Sequence, residues 1–157
     1  MEPISWDEYF MGIAYMASTR SKDKNTKVGA CIVSEDNRII STGYNGAPRL
    51  MDDKIVPTTN DLNKGWLNTK YPYVCHAELN SILNYRGSLY EFAGARVYVT
   101  LFPCNECAKA LAQLGVSEII YLEDRDEEIY EASRRILDNC NIKYRQYNFE
   151  RLKIEVV

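Results

Sequence analysis

Two short segments carry residues able to do chemistry at metal-ligand spacing: Cys75-His76-Ala77-Glu78 and Pro103-Cys104-Asn105-Glu106-Cys107. His76 is the only histidine of the chain, so any site that uses an imidazole must use this one. One imidazole and two thiolates form a borderline-to-soft donor set that suits Zn²⁺. Cys104 and Cys107 stand three residues apart, so on the first turn of a helix both sulfurs can reach one ion. A helix start also favours the thiolate, because its partial positive charge lowers a thiol pKa. Three protein donors leave a tetrahedral ion one ligand short, the arrangement of a catalytic zinc that holds a water. Glu78 follows His76 by two residues. On an ideal helix the two side chains diverge by about 200°. Glu78 is then expected to face the water rather than share the metal, and to move its proton as a general acid and base. A purely structural zinc would want a fourth protein donor. Cys75 is turned away by its position beside His76, and Cys31 and Cys140 stand in strand and helix-end patterns typical of buried thiols.

These donors must be held by elements that the residue pattern locates. Ser5-Trp6-Asp7-Glu8 matches a capping box. Trp6, Tyr9, Phe10, Ile13 and Ala17 then recur at helical steps, so a first helix is predicted as far as about Thr19. Val28 to Ser34 reads as a strand, Glu35-Asp36-Asn37 as a turn, and Arg38 to Tyr44 as an antiparallel return. From Asn45 to Cys75 no period is sustained, and so long a loop in a compact domain tends to be functional. His76 to Arg86 is predicted helical, with Ala77, Leu79, Ile82 and Leu83 as its apolar stripe and Gly87 as its stop. Arg96 to Leu101 reads as a strand, Cys104 to Leu114 as a helix ended by Gly115, and Glu118 to Leu122 as a strand. Asp124 is expected to cap a helix through Asn139, with Ile142 to Tyr147 as a last core strand and Arg151 to Val157 as an edge strand. The order α-β-β-α-β-α-β-α-β predicts an α/β fold: a mixed sheet covered on both faces, its later half parallel with right-handed crossovers.

At 157 residues the chain suits a single domain over 1–157 whose core needs no disulfide staples. With 46% hydrophobic and 26% charged residues it has the composition of a folded domain. Nineteen basic against 22 acidic residues leave a net charge of −3, which argues against a nucleic-acid partner. No basic segment followed by an apolar run opens the chain, and no stretch approaches the ~20 apolar residues of a membrane span. An odd count of five cysteines points to a reducing, cytoplasmic setting and to thiols used as thiols.

H-x-E together with P-C-x-x-C is the signature of the zinc nucleobase deaminases. In these enzymes a water made acidic by the metal adds to an amidine-like carbon, C4 of cytosine or C6 of adenine, and ammonia leaves. Longer runs narrow the likeness: Tyr71 to Asn80, Leu101 to Lys109, Arg20-Ser21-Lys22-Asp23 with Val28-Gly29-Ala30-Cys31, and Gly43-Tyr44-Asn45-Gly46. Together they resemble the zinc-dependent cytidine/deoxycytidylate deaminase family, in its deoxycytidylate branch, from about Trp6 to Tyr121. The resemblance implies a cytidine-deaminase-like three-layer α/β/α sandwich with a five-stranded mixed sheet. It implies hydrolysis of dCMP to dUMP and ammonia, with Asn45 on the deoxyribose and Ala77 and the Phe102-Pro103 edge in the base pocket. On its own, Asn45 in Tyr-Asn-Gly reads equally as a turn residue. For the 5′-phosphate, Lys70 before the zinc helix and Arg125 beyond the strand that holds Tyr121 are candidates, since α/β folds bind ligands past the carboxyl ends of strands. Both residues also read as ordinary solvated charges.

The resemblance further implies a homohexamer, activated by dCTP and inhibited by dTTP with Mg²⁺. Candidates for that regulatory site are Arg20, Lys22 and Asn25 in one loop and Gly46 and Asp52 in another. Ala47-Pro48-Arg49-Leu50-Met51 is bulkier than the glycine-rich stretch such a site implies, which leaves regulation and the choice between mono- and triphosphate open. Gly46 to Val74 holds no His or Cys, so one zinc per chain is expected. The alternatives are a bifunctional dCMP/dCTP deaminase, a tRNA- or DNA-acting deaminase, and a non-catalytic nucleotide-sensing zinc module. Asp124, Asp126, Glu127 and Glu128 would repel a polynucleotide, and a silent module has little use for Glu78.

Overall fold

β1, Gly29–Val33, is buried along its whole length, as a strand can be only inside a sheet covered on both faces. The computed structural model describes residues 1–154. In chain order it contains α1 (Trp6–Ser18), β1, β2 (Ile39–Tyr44), α2 (Ala77–Asn84), β3 (Arg96–Leu101), α3 (Asn105–Leu114), β4 (Glu118–Glu123), α4 (Glu128–Asn139) and β5 (Lys143–Gln146). The five strands form one sheet in the order β2-β1-β3-β4-β5. β1 is antiparallel to both β2 and β3, whereas β3, β4 and β5 are mutually parallel. Strand side chains alternate, so each of the inner strands β1, β3 and β4 feeds two cores. Ala30, Ile32, Val97, Val99 and Ile119 pack with residues of α2, α3 and α4 on one face. Cys31, Val33, Tyr98 and Ile120 pack with Phe10, Met11 and Ala14 of α1 on the other. The result is the expected α/β/α sandwich. Among the described residues no helix is long and apolar enough to cross a membrane.

The helix that starts beside His76 is seated by small residues. Its buried face consists of Ala77, Glu78 and Ser81, while Leu79 and Leu83 of the expected apolar stripe are exposed. The reason lies in β2. A Cβ added at Gly43 would stand 2.4 Å from the Ser81 nitrogen and 2.7 Å from the Ala77 oxygen, so helix and strand backbones nearly touch. Asn80 and Asn84 then donate to the Tyr44 and Thr42 carbonyls, which caps the free side of an edge strand. Gly43→Ala is expected to cost about 1–3 kcal/mol by overpacking and to displace the start of α2. Denaturant unfolding checks the first effect, and weakened zinc retention would report the second.

Local signals fared well where the partner is local. Ser5 accepts from the Glu8 N–H, and α3 stops at Gly115 in the left-handed conformation, φ 76°, which glycine adopts without strain. They failed where a distant partner won. α2 ends at Asn84 rather than Arg86 because Tyr85 is extended. Trp6 and Tyr9 are exposed, so the buried stripe of α1 is Phe10, Met11 and Ala14 instead. Asp124 does not cap α4, which starts four residues later with Glu127 as its cap; Asp124 is held by Arg134. Cys140 is exposed at the end of that helix, not buried. Residues 151–154 form no strand, and the rest of the expected edge strand, 155–157, lies outside the described residues.

Glu8 does not close the capping box from its side chain. Instead its buried carboxylate accepts the backbone N–H groups of Glu150, Arg151 and Leu152 at 3.2, 2.7 and 2.5 Å. Burial pushes this carboxyl up, but the Leu152 and Arg151 amides outweigh it and hold it below the usual glutamate range. A lowered folded pKa means that the anchoring is complete above the ordinary value and is lost only as pH falls through the lowered one. Glu8→Ala is therefore expected to speed hydrogen exchange of the 150–152 amides at neutral pH, while the parent keeps them protected until well into acid.

Candidate active site

β3 and β4 run side by side with Leu101 opposite Glu123, and the Phe102 N–H donates to the Glu123 carbonyl at 2.8 Å. Their carboxyl ends therefore deliver two adjacent loops, one leading to Cys104 and one to Arg125. From the opposite side comes α2. The long loop that precedes it is closed at its ends by Gly46 and Cys75, which exchange N–H···O bonds of 3.0 and 2.8 Å. Within that loop lie two short 3₁₀ turns, Leu62–Lys64 and Trp66–Asn68. His76 is the N-cap of α2 and Cys104 the N-cap of α3; both are extended, and neither side chain makes a capping hydrogen bond. Each is thus free to turn toward the other. The divergence expected of His76 and Glu78 on a common helix does not apply, since only Glu78 is helical.

His76 Nδ1 lies 3.3 Å from Cys104 Sγ and 3.5 Å from Cys107 Sγ. All three donor atoms fall within 4.8 Å of one another. A tetrahedral zinc with Zn–N near 2.0 Å and Zn–S near 2.3 Å separates its nitrogen and sulfur donors by roughly 3.5 Å. Both nitrogen–sulfur distances match that spacing. Its protons are coupled: the hydrogen bond from Cys107, burial working against it and His76 in support draw the Cys104 thiol down to about 4. The same contact with Cys104 lifts His76 to about 9, against burial. Cys107 is pushed up by Cys104 and by burial. A site in this state exchanges protons for a cation.

Glu78 is 3% exposed. Burial pushes its carboxyl up, opposed by the charge of His76 and by a hydrogen bond with Cys107. A buried carboxyl raised in this way sits nearer neutrality, where it can both take and give a proton. His76, Cys104 and Glu78 line one cavity of about 170 Å³, with Cys107 buried next to them.

Of the other residues singled out in the sequence, Asn45, Ala77, Phe102, Lys70 and Arg125 all line this cavity. Pro103 is buried behind them and is not part of the wall. The Asn45 amide accepts from the Val28 N–H and donates to the Thr26 carbonyl, both at 2.9 Å, leaving one amide hydrogen and one lone pair for a ligand. Phe102 is wedged edge-on against Tyr121 and Tyr144, with the Arg134 guanidinium 4.8 Å above its ring. Lys70 is ion-paired with Asp23 at 2.7 Å, and Arg125 reaches Thr26 Oγ1 at 3.4 Å. The regulatory candidates sit on loops that meet outside the cavity: Lys22 pairs with Asp53, and Asn25 donates to the Thr58 carbonyl at 2.9 Å. Asp52 accepts from the Lys54 N–H, Gly46 belongs to the bridge with Cys75, and Arg20 is exposed.

Sequence reasoning missed Asp23, Thr26, Tyr130 and Arg134. The first three line the cavity, and Arg134 fixes the loop of Arg125 by bonding Asp124 and the Arg125 carbonyl. Asp23-Lys24-Asn25-Thr26 has the composition of an Asx turn, and the Asp23 carboxylate does accept the Asn25 and Thr26 N–H groups. That signal was there to be read.

Residues 4–123 match the profile of the cytidine and deoxycytidylate deaminase zinc-binding region. The chain belongs to the cytidine and deoxycytidylate deaminase family. It is 44% identical over 146 residues to the deoxycytidylate deaminase of Pongo abelii, covering 92% of this chain and 80% of that protein. It is 45% identical over 153 residues to a probable deoxycytidylate deaminase of Drosophila melanogaster, covering 93% and 74%. Among solved structures, the dCMP deaminase of cyanophage S-TIM5 in complex with dCMP and dUMP aligns with a TM-score of 0.73 at 27% identity, over 94% of this chain and 99% of that one. Family membership accounts for the donor trio at the two helix starts.

Proposed function

We infer that the chain catalyses the zinc-dependent hydrolysis of dCMP to dUMP and ammonia. The observation that carries this reading is a His/Cys/Cys trio at zinc spacing whose His76 and Cys104 share the wall of one cavity with a buried carboxyl, Glu78. Likeness to deoxycytidylate deaminases over most of the chain supports the substrate.

His76, Cys104 and Cys107 would hold the ion. Zinc, when bound there, supplies the Lewis acidity that makes water a nucleophile near neutral pH. The residues of the chain do the rest. Glu78 takes a proton from the attacking water and gives it to ring N3, then passes the second proton to the departing amine. The C4–O bond forms, the C4–N bond breaks, and ammonia carries the nitrogen away, so no oxidant or reductant enters. Ala77 and Phe102 wall the base, with Pro103 fixing the turn behind it; Asn45 offers its remaining hydrogen and lone pair to the deoxyribose. Arg125 supplies the positive end for the 5′-phosphate, with Lys70 held nearby in its ion pair with Asp23.

In this reading the 1–157 chain is one catalytic domain with one zinc, in the cytoplasm, and assembles as a homohexamer. The meeting of the Arg20–Asn25 and Asn45–Asp53 loops is its site for dCTP or dTTP with Mg²⁺. The reading is tested by incubating zinc-loaded protein with dCMP, deoxycytidine and a short cytosine-containing single strand, with uracil product followed chromatographically. Turnover should be fastest with dCMP. Deamination of the single strand alone would replace this reading with a polynucleotide deaminase.

A further inference from the structure

The cavity holds a group that the chemistry above does not use. Asp23 is a carboxylate in the wall of a site that must bind an anion. Its Oδ2 lies 2.7 Å from Lys70 Nζ, and the two side chains are only 5% and 12% exposed. Burying such a pair costs desolvation of both charges, so it is weak as a stabilising device and must be explained by what it does to the site. Its geometry is well fixed. Asp23 Oδ1 accepts the Asn25 and Thr26 N–H groups at 2.8 and 2.9 Å, and Thr26 Oγ1 in turn lies 3.4 Å from Arg125. Burial pushes the Asp23 carboxyl up, but Lys70 and the Thr26 and Asn25 amides hold it below the usual range, so it stays ionised. Two cations, Lys70 and Arg125, and two carboxyl groups, Asp23 and Glu78, thus line the same cavity, and of the two carboxyls Asp23 is the one paired with Lys70. Arg125 carries the charge left over, since its neighbour Asp124 is taken by Arg134.

We propose that Asp23 is a specificity-determining residue: by cancelling Lys70 it limits the positive charge of the pocket, so that Arg125 reads a 5′-monophosphate and a triphosphate is rejected. The proposal rests on the reading that this site takes dCMP. A monophosphate brings up to about two negative charges and a triphosphate roughly four. At the low effective dielectric of a half-closed cavity the extra charge is repelled by a carboxylate a few ångströms away. Asp23 also lets Lys70 serve as a fixed strut between the two loops rather than as a mobile counter-ion.

The test compares kcat/KM for dCMP and dCTP in three variants of the zinc-loaded full chain. Asp23→Asn keeps an oxygen for the Asn25 and Thr26 amides and removes only the charge. It should raise the dCTP/dCMP ratio roughly tenfold, through KM for dCTP rather than kcat. Lys70→Gln should move the ratio the opposite way, and the double variant Asp23→Asn/Lys70→Gln, in which the net charge is restored, should return toward the parental value. A merely structural role would lower both substrates alike and would not be repaired by the second change. The proposal is overturned if the ratio is unmoved in the single variants, if both move it in the same direction, or if the parent uses dCTP as well as dCMP. Should Asp23→Asn not fold, Lys70→Gln alone decides by its sign. Absence of turnover of either nucleotide by the zinc-loaded parent is a different result, and it refutes the reading of the site as a deoxycytidylate deaminase.

Discussion

Glu78→Gln should lower kcat on dCMP by about 10²–10⁴-fold, the range that a positioned general acid and base contributes. The same variant should still bind zinc, because the proposed donors, His76, Cys104 and Cys107, are untouched. Its folding stability should hold or rise. The carboxyl is almost fully buried, and burial disfavours its charge; an amide of the same shape removes that cost while keeping an oxygen toward Cys107. The expected signature is therefore a dissociation of properties: metal present, thermal midpoint unchanged or higher, turnover gone. Metal analysis, a melting curve and a product assay on one preparation check all three. A variant that lost zinc together with activity would make Glu78 a support of the metal site instead of a proton carrier.

Removal of one donor should have the larger structural effect. His76→Ala and Cys104→Ala each leave two donors for an ion that wants three from the protein, and zinc content is expected to fall well below one per chain. Stability follows by linkage, since an ion bound only to the folded state contributes about 4 kcal/mol when present at a thousand times its dissociation constant. These variants should melt lower than the parent by an amount that chelation of the parent reproduces. Chelator should then move the variants little. If chelation leaves the parental melting curve where it was, the trio holds no ion that matters to folding.

How much of this could be read from the residues alone depends on how far away the deciding partner lies. β3 was legible from end to end, Arg96 to Leu101, because Val97, Tyr98, Val99 and Thr100 are the β-branched and aromatic residues that a central strand favours. The end of α3 at Gly115 was legible for the same local reason, and so were the donors, since a CxxC at a helix start is complete within four residues. Asn45 was half legible: it stood out as a candidate, but the residues alone do not show that it follows β2 without a turn and that its amide ties Thr26 and Val28 to the cavity. Glu8, Asp23 and Asp124 each resembled a local cap or a solvated charge. Each also or instead binds a group outside its own turn: Glu8 the amides of 150–152, Asp23, besides its Asx turn, the ammonium of Lys70, and Asp124 the guanidinium of Arg134. A carboxylate has no periodicity to betray its partner. The exposed Leu79 and Leu83 mislead for a related reason: the helix pattern shows which residues are apolar, but only Gly43 on the neighbouring strand decides that Ala77 and Ser81 go inward.

The most direct measurement is a reaction of the zinc-loaded chain with dCMP in heavy-oxygen water, with product mass and ammonia read together. The geometry of His76, Cys104, Cys107 and Glu78 predicts dUMP with one heavy oxygen at C4, and one ammonia released for each dUMP formed. Recovery of dCMP unchanged from protein that carries its zinc would contradict it.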